Sequence, residues 1–362
     1  MPRYSKKRVT KTQDLPSLFD TFDTIDFGLP EPKAIELPGL DRHVRNIKST
    51  LEARRAATPV PEAPGATDRV LFISFGSGSS GNSAYIGTRD EGLLIDAGVD
   101  QKFVKDELMR NGISPSALRG IIVTHDHGDH VRYAYGMLRQ LRTCGLYCTP
   151  RTLNGILRRH SVSRRLKDFH HAIYKEITFQ LAGFEITPFE VDHDGTDNVG
   201  YHITRPGFNF TIATDLGRIG ERADFYLRRA EYIMIESNYD LDMLRRGTYP
   251  EYLKARIIGA TGHLDNAVTA AYLASIYRPE LKYVMLCHLS HDNNTPDVAV
   301  NTITESLAAI GVTVGDGSNS PLSLKAQLQV RPLPRFDSTG LILSGIHISE
   351  PTRHRGRAEA GE

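Results

Sequence analysis

The sequence predicts a mixed α/β domain built from two sheets packed face to face, with helices on their outer sides. Two observations lead there. Apolar strand-like runs come in blocks, one from Val70 to Gly98 and one from Lys175 to Thr214. Helical patterns fall between and after these blocks, whereas a regular βαβ winding would put one after every strand. No internal repeat competes with this reading.

The elements follow in order. "VLFISF", Val70 to Phe75, is a buried-strand run, and a Gly/Ser turn leads from it into a second strand starting at Ser83. "GLLIDAG", Gly92 to Gly98, is a third strand. "DQKFVKDELMRNG" places Phe103, Val104 and Leu108 on one helical face and stops at Gly112. "GIIVT" is a short apolar strand. The second block holds "EITFQLAGFEITPFEV", "VGYHITR" and "FNFTIAT", and "EYIMIES" follows as a further strand. "DNAVTAAYLASIY" reads as a helix, "LKYVMLCHLS" as a strand, and "PDVAVNTITESLAAIG" as a helix with Pro296 in its first turn.

The flanks differ. Residues 1–66 carry scattered Pro, mixed charge and little periodicity, and end in "AATPVPEAPGATD". They predict a disordered or weakly structured extension, with a short amphipathic helix over Arg42–Arg55. The folded domain is expected over 67–335. Residues 336–362 are expected to be a tail. "GIHISEPTRHRGRAEAGE" within it resembles translated adapter read-through, so the tail is expected to be non-native, and His347 and His354 are not counted as ligands.

Bulk properties narrow the class. The 362 residues are 40% hydrophobic, enough for a sizeable core, and the formal net charge of +1 points to no polyanionic partner by itself. Three cysteines are too few for a disulfide scaffold, which predicts a reducing compartment. "MPRYSKKRVTKTQDLP" is basic without an apolar run behind it, and no segment nears the roughly 20 apolar residues of a membrane span. A cytoplasmic protein without a membrane partner is expected. Nothing in the pattern sets an oligomeric state.

The chemistry concentrates in "IIVTHDHGDH", Ile121 to His130. On a helix, His125 and His127 would point about 200° apart and could not share an ion. A tight turn after an apolar strand can bend His125, His127, Asp129 and His130 toward one spot, with Gly128 permitting unusual backbone angles. Imidazole and carboxylate suit Zn²⁺, Mn²⁺ and Fe²⁺. Four potential ligands in one short run exceed the needs of a single open site, so two adjacent ions are expected. Further candidates stand just after apolar strands: His193, Asp215 and His288.

This constellation resembles the metallo-β-lactamase fold superfamily. "LIDAG" resembles that fold's early Asp-containing element, with Asp96 as an organiser behind the ligands. "FGSGSSGNSAYI", "IESNYD", "GHLDN" and "LCHLSHDNN" resemble the YycJ/WalJ-type subfamily of metal-dependent exonucleases, over about residues 68–335. Asp265 stands where that pattern has Ser, which puts the hydrogen bonding around His263 in question. The resemblance implies a four-layer αββα sandwich with two divalent ions, Zn²⁺ or Mn²⁺ with Fe²⁺ as a further candidate. It implies His125, His127 and His193 on one ion, Asp129, His130 and His288 on the other, and Asp215 bridging.

A hydroxide held between two ions is then the expected nucleophile, oriented by Asp129. His263 is the first candidate to protonate the leaving oxygen and His291 the second. Asn293 and Asn294 are read either as substrate contacts or as a turn, and the Gly/Ser turn either as a phosphate cradle or as a plain hairpin. The basic stretch Arg151 to Lys175 favours a nucleic-acid substrate, and the resemblance implies DNA over RNA. Two other readings stand beside the exonuclease: a hydrolase of a small ester, thioester or lactam, and a non-catalytic metal-binding module.

Overall fold

The computed structural model describes residues 69–141, 143–318 and 320–343. The expected extension 1–66, its helix over Arg42–Arg55 and residues 344–362 lie outside the described residues.

Two sheets form. The first takes β1 (Leu71–Gly76), β2 (Ser83–Gly87), β3 (Gly92–Ile95), β4 (Leu118–Ile122), β5 (Gly145–Cys148) and β6 (His170–Ala172), side by side in that order. Its β1–β2–β3 portion is antiparallel, and β3–β4–β5–β6 is parallel. The second takes β7 (Phe179–Leu181), β8 (Phe184–Glu190), β9 (Val199–Arg205), β10 (Phe208–Ala213), β11 (Tyr232–Glu236), β12 (Tyr283–Cys287), β13 (Val314–Gly315) and β14 (Leu328–Pro332). There β7–β10 run antiparallel, and β10, β11, β12 and β14 run parallel, with β13 parallel at the edge.

Side-chain alternation explains the layering. Leu93, Ile95 and Ile122 point to the centre, where they meet Ile186, Tyr201, Phe210 and Met285 of the second sheet. Their neighbours Leu94, Ile121 and Val123 point outward onto Val104, Leu108, Leu153 and Ile156 of the covering helices. The second sheet does the same, with Ile233, Ile235, Val284 and Leu286 against Leu273, Ile303 and Leu307. Strands β1, β3 and β12 are buried on both faces, which is why their sequences read as continuous apolar runs. The result is the expected αββα order.

Helix starts are set by side-chain caps. Asp100 accepts from the amides of Lys102 and Phe103 at the start of Gln101–Arg110. Thr149 and Thr295 cap Pro150–Arg159 and Pro296–Ala308, each with proline in its first turn.

The structured chain passes the expected boundary at 335. Thr339 exchanges hydrogen bonds with Ser74, and β15 (Ile342–Leu343) pairs antiparallel with β1. These contacts cover an otherwise open edge of the first sheet.

Candidate metal centre

Asp96, the metal-loop run 125–130, Asp215, Glu236 and His288 all stand at or just beyond the carboxyl ends of strands β3, β4, β10, β11 and β12. Parallel pairing within each sheet puts those ends at one edge of the sandwich. Asp96, Asp215 and His288 have φ of +60°, +54° and +55°. Non-glycine residues there cost on the order of 1–3 kcal/mol each. The sharp turns swing their side chains from the strand direction into the shared pocket.

After β4 the chain makes an extended loop and then a short helical turn, Gly128–Val131. His125, His127 and His193 bring ring nitrogens within 4.8 Å of one another. Asp129, His130 and His288 form a second such group. Asp215 lies between them: Oδ1 is 3.9 Å from His193 Nε2 and 3.4 Å from His288 Nε2, and Oδ2 is 3.3 Å from His130 Nε2.

The outer partners decide which ring nitrogen faces inward. A carboxylate or carbonyl only accepts, so a ring nitrogen against it must be the N–H. His130 Nδ1 donates to Asp96 Oδ2 at 2.8 Å, His193 Nδ1 to the Gly262 carbonyl at 3.1 Å, and His288 Nδ1 to Glu236 Oε1 at 3.0 Å. Thr124 spends its hydroxyl proton on Asp96 Oδ2 at 2.8 Å, which leaves its oxygen to accept from His125 Nδ1 at 3.0 Å. These four rings therefore offer Nε2 to the pocket. His127 is reversed: Nε2 faces Asp194 Oδ1 at 3.2 Å, and Nδ1 faces His125 and His193.

This set fits divalent ions. Converging lone pairs of neutral imidazoles, with carboxylates between them, repel one another unless a cation sits among them. The buried His288 Nε2 has no hydrogen-bond partner and points between Asp129 and Asp215. Donors are nitrogen and oxygen alone. Cys144, Cys148 and Cys287 are buried and form no disulfide, with burial raising the first two thiols to about 12.

Charge balance agrees. Burial holds His125 well below the ordinary histidine range and lowers His127 as well. Burial opposes protonation of His130 too, yet Asp215, Asp96 and Asp129 raise it to about 9. His288 is likewise raised, against burial, by Asp215, Asp129 and Glu236. The carboxylates thus give the pocket a preference for positive charge that protons and divalent ions compete to satisfy.

Of the two proton-donor candidates, the structure brings one into the pocket. His263 lines a cavity of about 360 Å³ together with the ligand groups, and its Nδ1 donates to the buried Glu236 Oε1 at 2.7 Å. Glu236 raises the pKa of His263, although burial works against it. His291 is exposed, and its ring bonds Asp292 at 2.8 Å outside the cavity lining. Asp265 resolves its departure from the expected Ser by capping the helix Asn266–Ile276 through the Ala267 amide. Asn293 and Asn294 are buried, and Asn294 bonds Ser237, Asn238 and Asn266, so it is a brace rather than a substrate contact.

Other residues were not foreseen. Glu236 grips His263, His288 and the amides of Leu216 and Leu264 at once. The Gly/Ser turn is a buttress: the Asn82 amide donates to the Asp129 carbonyl at 2.8 Å, and Ser77 Oγ accepts from the His288 amide at 2.9 Å. Arg335 lines the cavity beside Ser79, with Nε buried and unbonded. Glu236 carried a readable signal, an acid ending an apolar strand, the same signal that marked Asp215. Arg335 carried none.

Comparison with known proteins follows the same line. The beta-lactamase superfamily domain matches residues 92–288. The chain is 31% identical over 247 residues to exodeoxyribonuclease YycJ of Bacillus anthracis, covering 68% of this chain and 92% of that protein. It is 30% identical over 239 residues to exodeoxyribonuclease WalJ of Streptococcus pneumoniae serotype 2, covering 66% and 88%. The solved metallo-β-lactamase fold protein YhfI from Bacillus subtilis shares the fold at a TM-score of 0.53 and 13% identity, over 76% of this chain and 100% of that one.

Proposed function

The chain belongs to the beta-lactamase superfamily domain family, in its YycJ/WalJ-type branch, and from that premise we propose that it is a binuclear metal-dependent phosphodiesterase acting on DNA ends. The observation that carries this is the convergence of two ligand groups on Asp215. His125, His127 and His193 would hold one ion, Asp129, His130 and His288 the other, with Asp215 shared.

Divalent ions bound there supply Lewis acidity, which lowers the pKa of water toward neutrality and offsets charge growing on a phosphoryl oxygen. Zn²⁺, Mn²⁺ and Fe²⁺ all suit a nitrogen and oxygen donor set. Asp129, at the pocket wall, orients the attacking water. His263 keeps Nδ1 on Glu236, turns Nε2 to the cavity and donates a proton to the leaving oxygen. A group in that role is worth roughly 10²–10⁴-fold in rate. Arg335, whose side chain lines the same cavity, holds a non-bridging phosphate oxygen. The relatives' name, exodeoxyribonuclease, supports DNA over RNA and end-directed cutting over internal cutting.

The test is metal analysis joined to degradation of end-labelled DNA and RNA, each blocked at the 5′ or the 3′ end. Metal-dependent shortening of DNA is expected, lost in Asp129→Ala and accompanied by weaker metal retention in His193→Ala. Full turnover by Asp129→Ala, or cleavage of thioester or lactam probes with no nucleolysis, rejects the reading.

A further inference from the structure

Between Arg151 and Lys175 lie the cations Arg151, Arg158, Arg159, Arg164, Arg165, Lys167 and Lys175. The structure sorts them. Arg159 faces the buried Asp126 at 3.4 Å, Arg165 faces Asp168 at 3.3 Å, and Lys175 faces Asp197 and Glu190 at 2.8 and 3.1 Å. Arg151, Arg158, Arg164 and Lys167 have no carboxylate partner among the described residues. Those four line a single cavity of about 480 Å³, together with Asn154 and Thr196, and no acidic side chain lines it.

Local geometry sets the grouping. Arg151, Asn154 and Arg158 stand at i, i+3 and i+7 of the helix Pro150–Arg159, which puts them on one face. Arg164 and Lys167 are i and i+3 of the 3₁₀ segment Arg164–Phe169, where such residues eclipse. Two elements thus aim like charges into one concavity. That arrangement is unfavourable by itself and favourable around an anion.

The cavity is fixed to the metal pocket. The segment 192–198 walls both, with His193 and Asp194 lining the metal pocket and Thr196 the basic cavity. Asp126, between His125 and His127, accepts from Thr196 N at 2.9 Å and Thr196 Oγ1 at 2.6 Å, and its carbonyl accepts from His160 Nε2 at 2.7 Å. A Cβ on Gly155 would lie 2.0 Å from Asp126 Oδ2, so the basic helix rests directly on the metal loop.

We propose that this cavity binds the sugar-phosphate backbone of the nucleic-acid substrate, away from the bond that is cut. The identity of the polyanion rests on the phosphodiesterase reading. The four cations stand on two elements, a spread that suits a ligand carrying several charges better than one small anion.

The test uses the full-length, metal-loaded protein and Arg158→Ala/Lys167→Ala, both exposed positions with no carboxylate partner among the described residues. Binding of a fluorescent phosphorothioate duplex is followed by anisotropy across a potassium chloride series. Each lost phosphate contact lowers the slope of log affinity against log salt by about 1, so the double variant is expected to lose about 2. An unchanged slope with unchanged affinity overturns the inference. So does full competition by inorganic phosphate with no change in slope, which would mark a small-anion site. Turnover of bis(p-nitrophenyl) phosphate by the wild-type protein tests the reaction class separately. Its absence would sink the phosphodiesterase reading, and the slopes would still decide the cavity.

Discussion

The Asp96 carboxylate holds His130 Nδ1 at 2.8 Å and so fixes which nitrogen of that buried ring faces the metal pocket. Asp96 also accepts from the amide of Thr124 at 2.8 Å and from its hydroxyl at 2.8 Å. Three donors therefore converge on two acceptor oxygens. Asn at this position keeps the shape and removes one acceptor, leaving a donor facing an NH₂ group. Asp96→Asn is expected to weaken metal affinity roughly 10–100-fold, the usual effect of losing a partner behind a ligand. Competition against a fluorescent chelator measures it. Wild-type retention in a folded Asp96→Asn protein would mean that His130 is oriented by other contacts.

Much of this cluster could be read in one dimension because the candidate ligands stand out locally. The run His125 to His130 is dense in ligand types, and His193, Asp215 and His288 each follow an apolar strand. The partners behind the ligands do not advertise themselves. Glu236 meets His288 across 52 positions, and Ser77 meets the His288 amide across 211. Side-by-side pairing of β11 and β12 brings the first pair together, and the stacking of the two sheets brings the second. His291 is close to His288 in sequence, but its ring is exposed and faces Asp292 rather than the cavity. The αββα layering was legible because strands buried on both faces leave continuous apolar runs. The closure of β1 by Ile342 and Leu343 was not, because a two-residue strand carries no periodicity.

Gly98 ends the "LIDAG" element, and its requirement is steric. A Cβ there would sit 1.5 Å from the Asp129 carbonyl oxygen, which already accepts from the Asn82 amide at 2.8 Å. Gly98 also donates its own amide to the Asn82 carbonyl at 2.9 Å. No side-chain rotation relieves a clash with backbone. Gly98→Ala must push the metal loop away from the Gly/Ser turn and displace Asp129. A loss of several kcal/mol is expected, in the range of roughly 1–3 for overpacking plus the broken hydrogen bonds. Denaturant midpoints measure stability, and metal stoichiometry reports whether Asp129 still binds. Unchanged values for both would show that the loop has slack this geometry denies.

Acid sensitivity should arise partly away from the metal pocket. His202 on β9 lies under Tyr226, and its Nδ1 is 2.8 Å from Thr211 Oγ1. Thr211 donates its own proton to the Tyr226 carbonyl at 3.2 Å, so it accepts from His202, whose neutral Nδ1–H form is the one that fits. Burial, with a smaller push from Arg229, lowers the His202 pKa to about 4. An unfolded histidine titrates near 6.5. Between those values the unfolded chain binds more protons than the folded one, so stability falls as pH drops from about 6.5 to about 4. The ceiling is on the order of 2–3 kcal/mol, since the ring is partly exposed. Asn in its place keeps a donor near the Nδ1 position and does not titrate in this window. The metal ligands contribute acid sensitivity of their own, so the informative quantity is the difference between wild type and His202→Asn in urea-unfolding free energy, followed from pH 7 downward. That difference is expected to shift in favour of the variant across the window. Parallel curves would mean that His202 is protonated as readily in the folded chain as in the unfolded one.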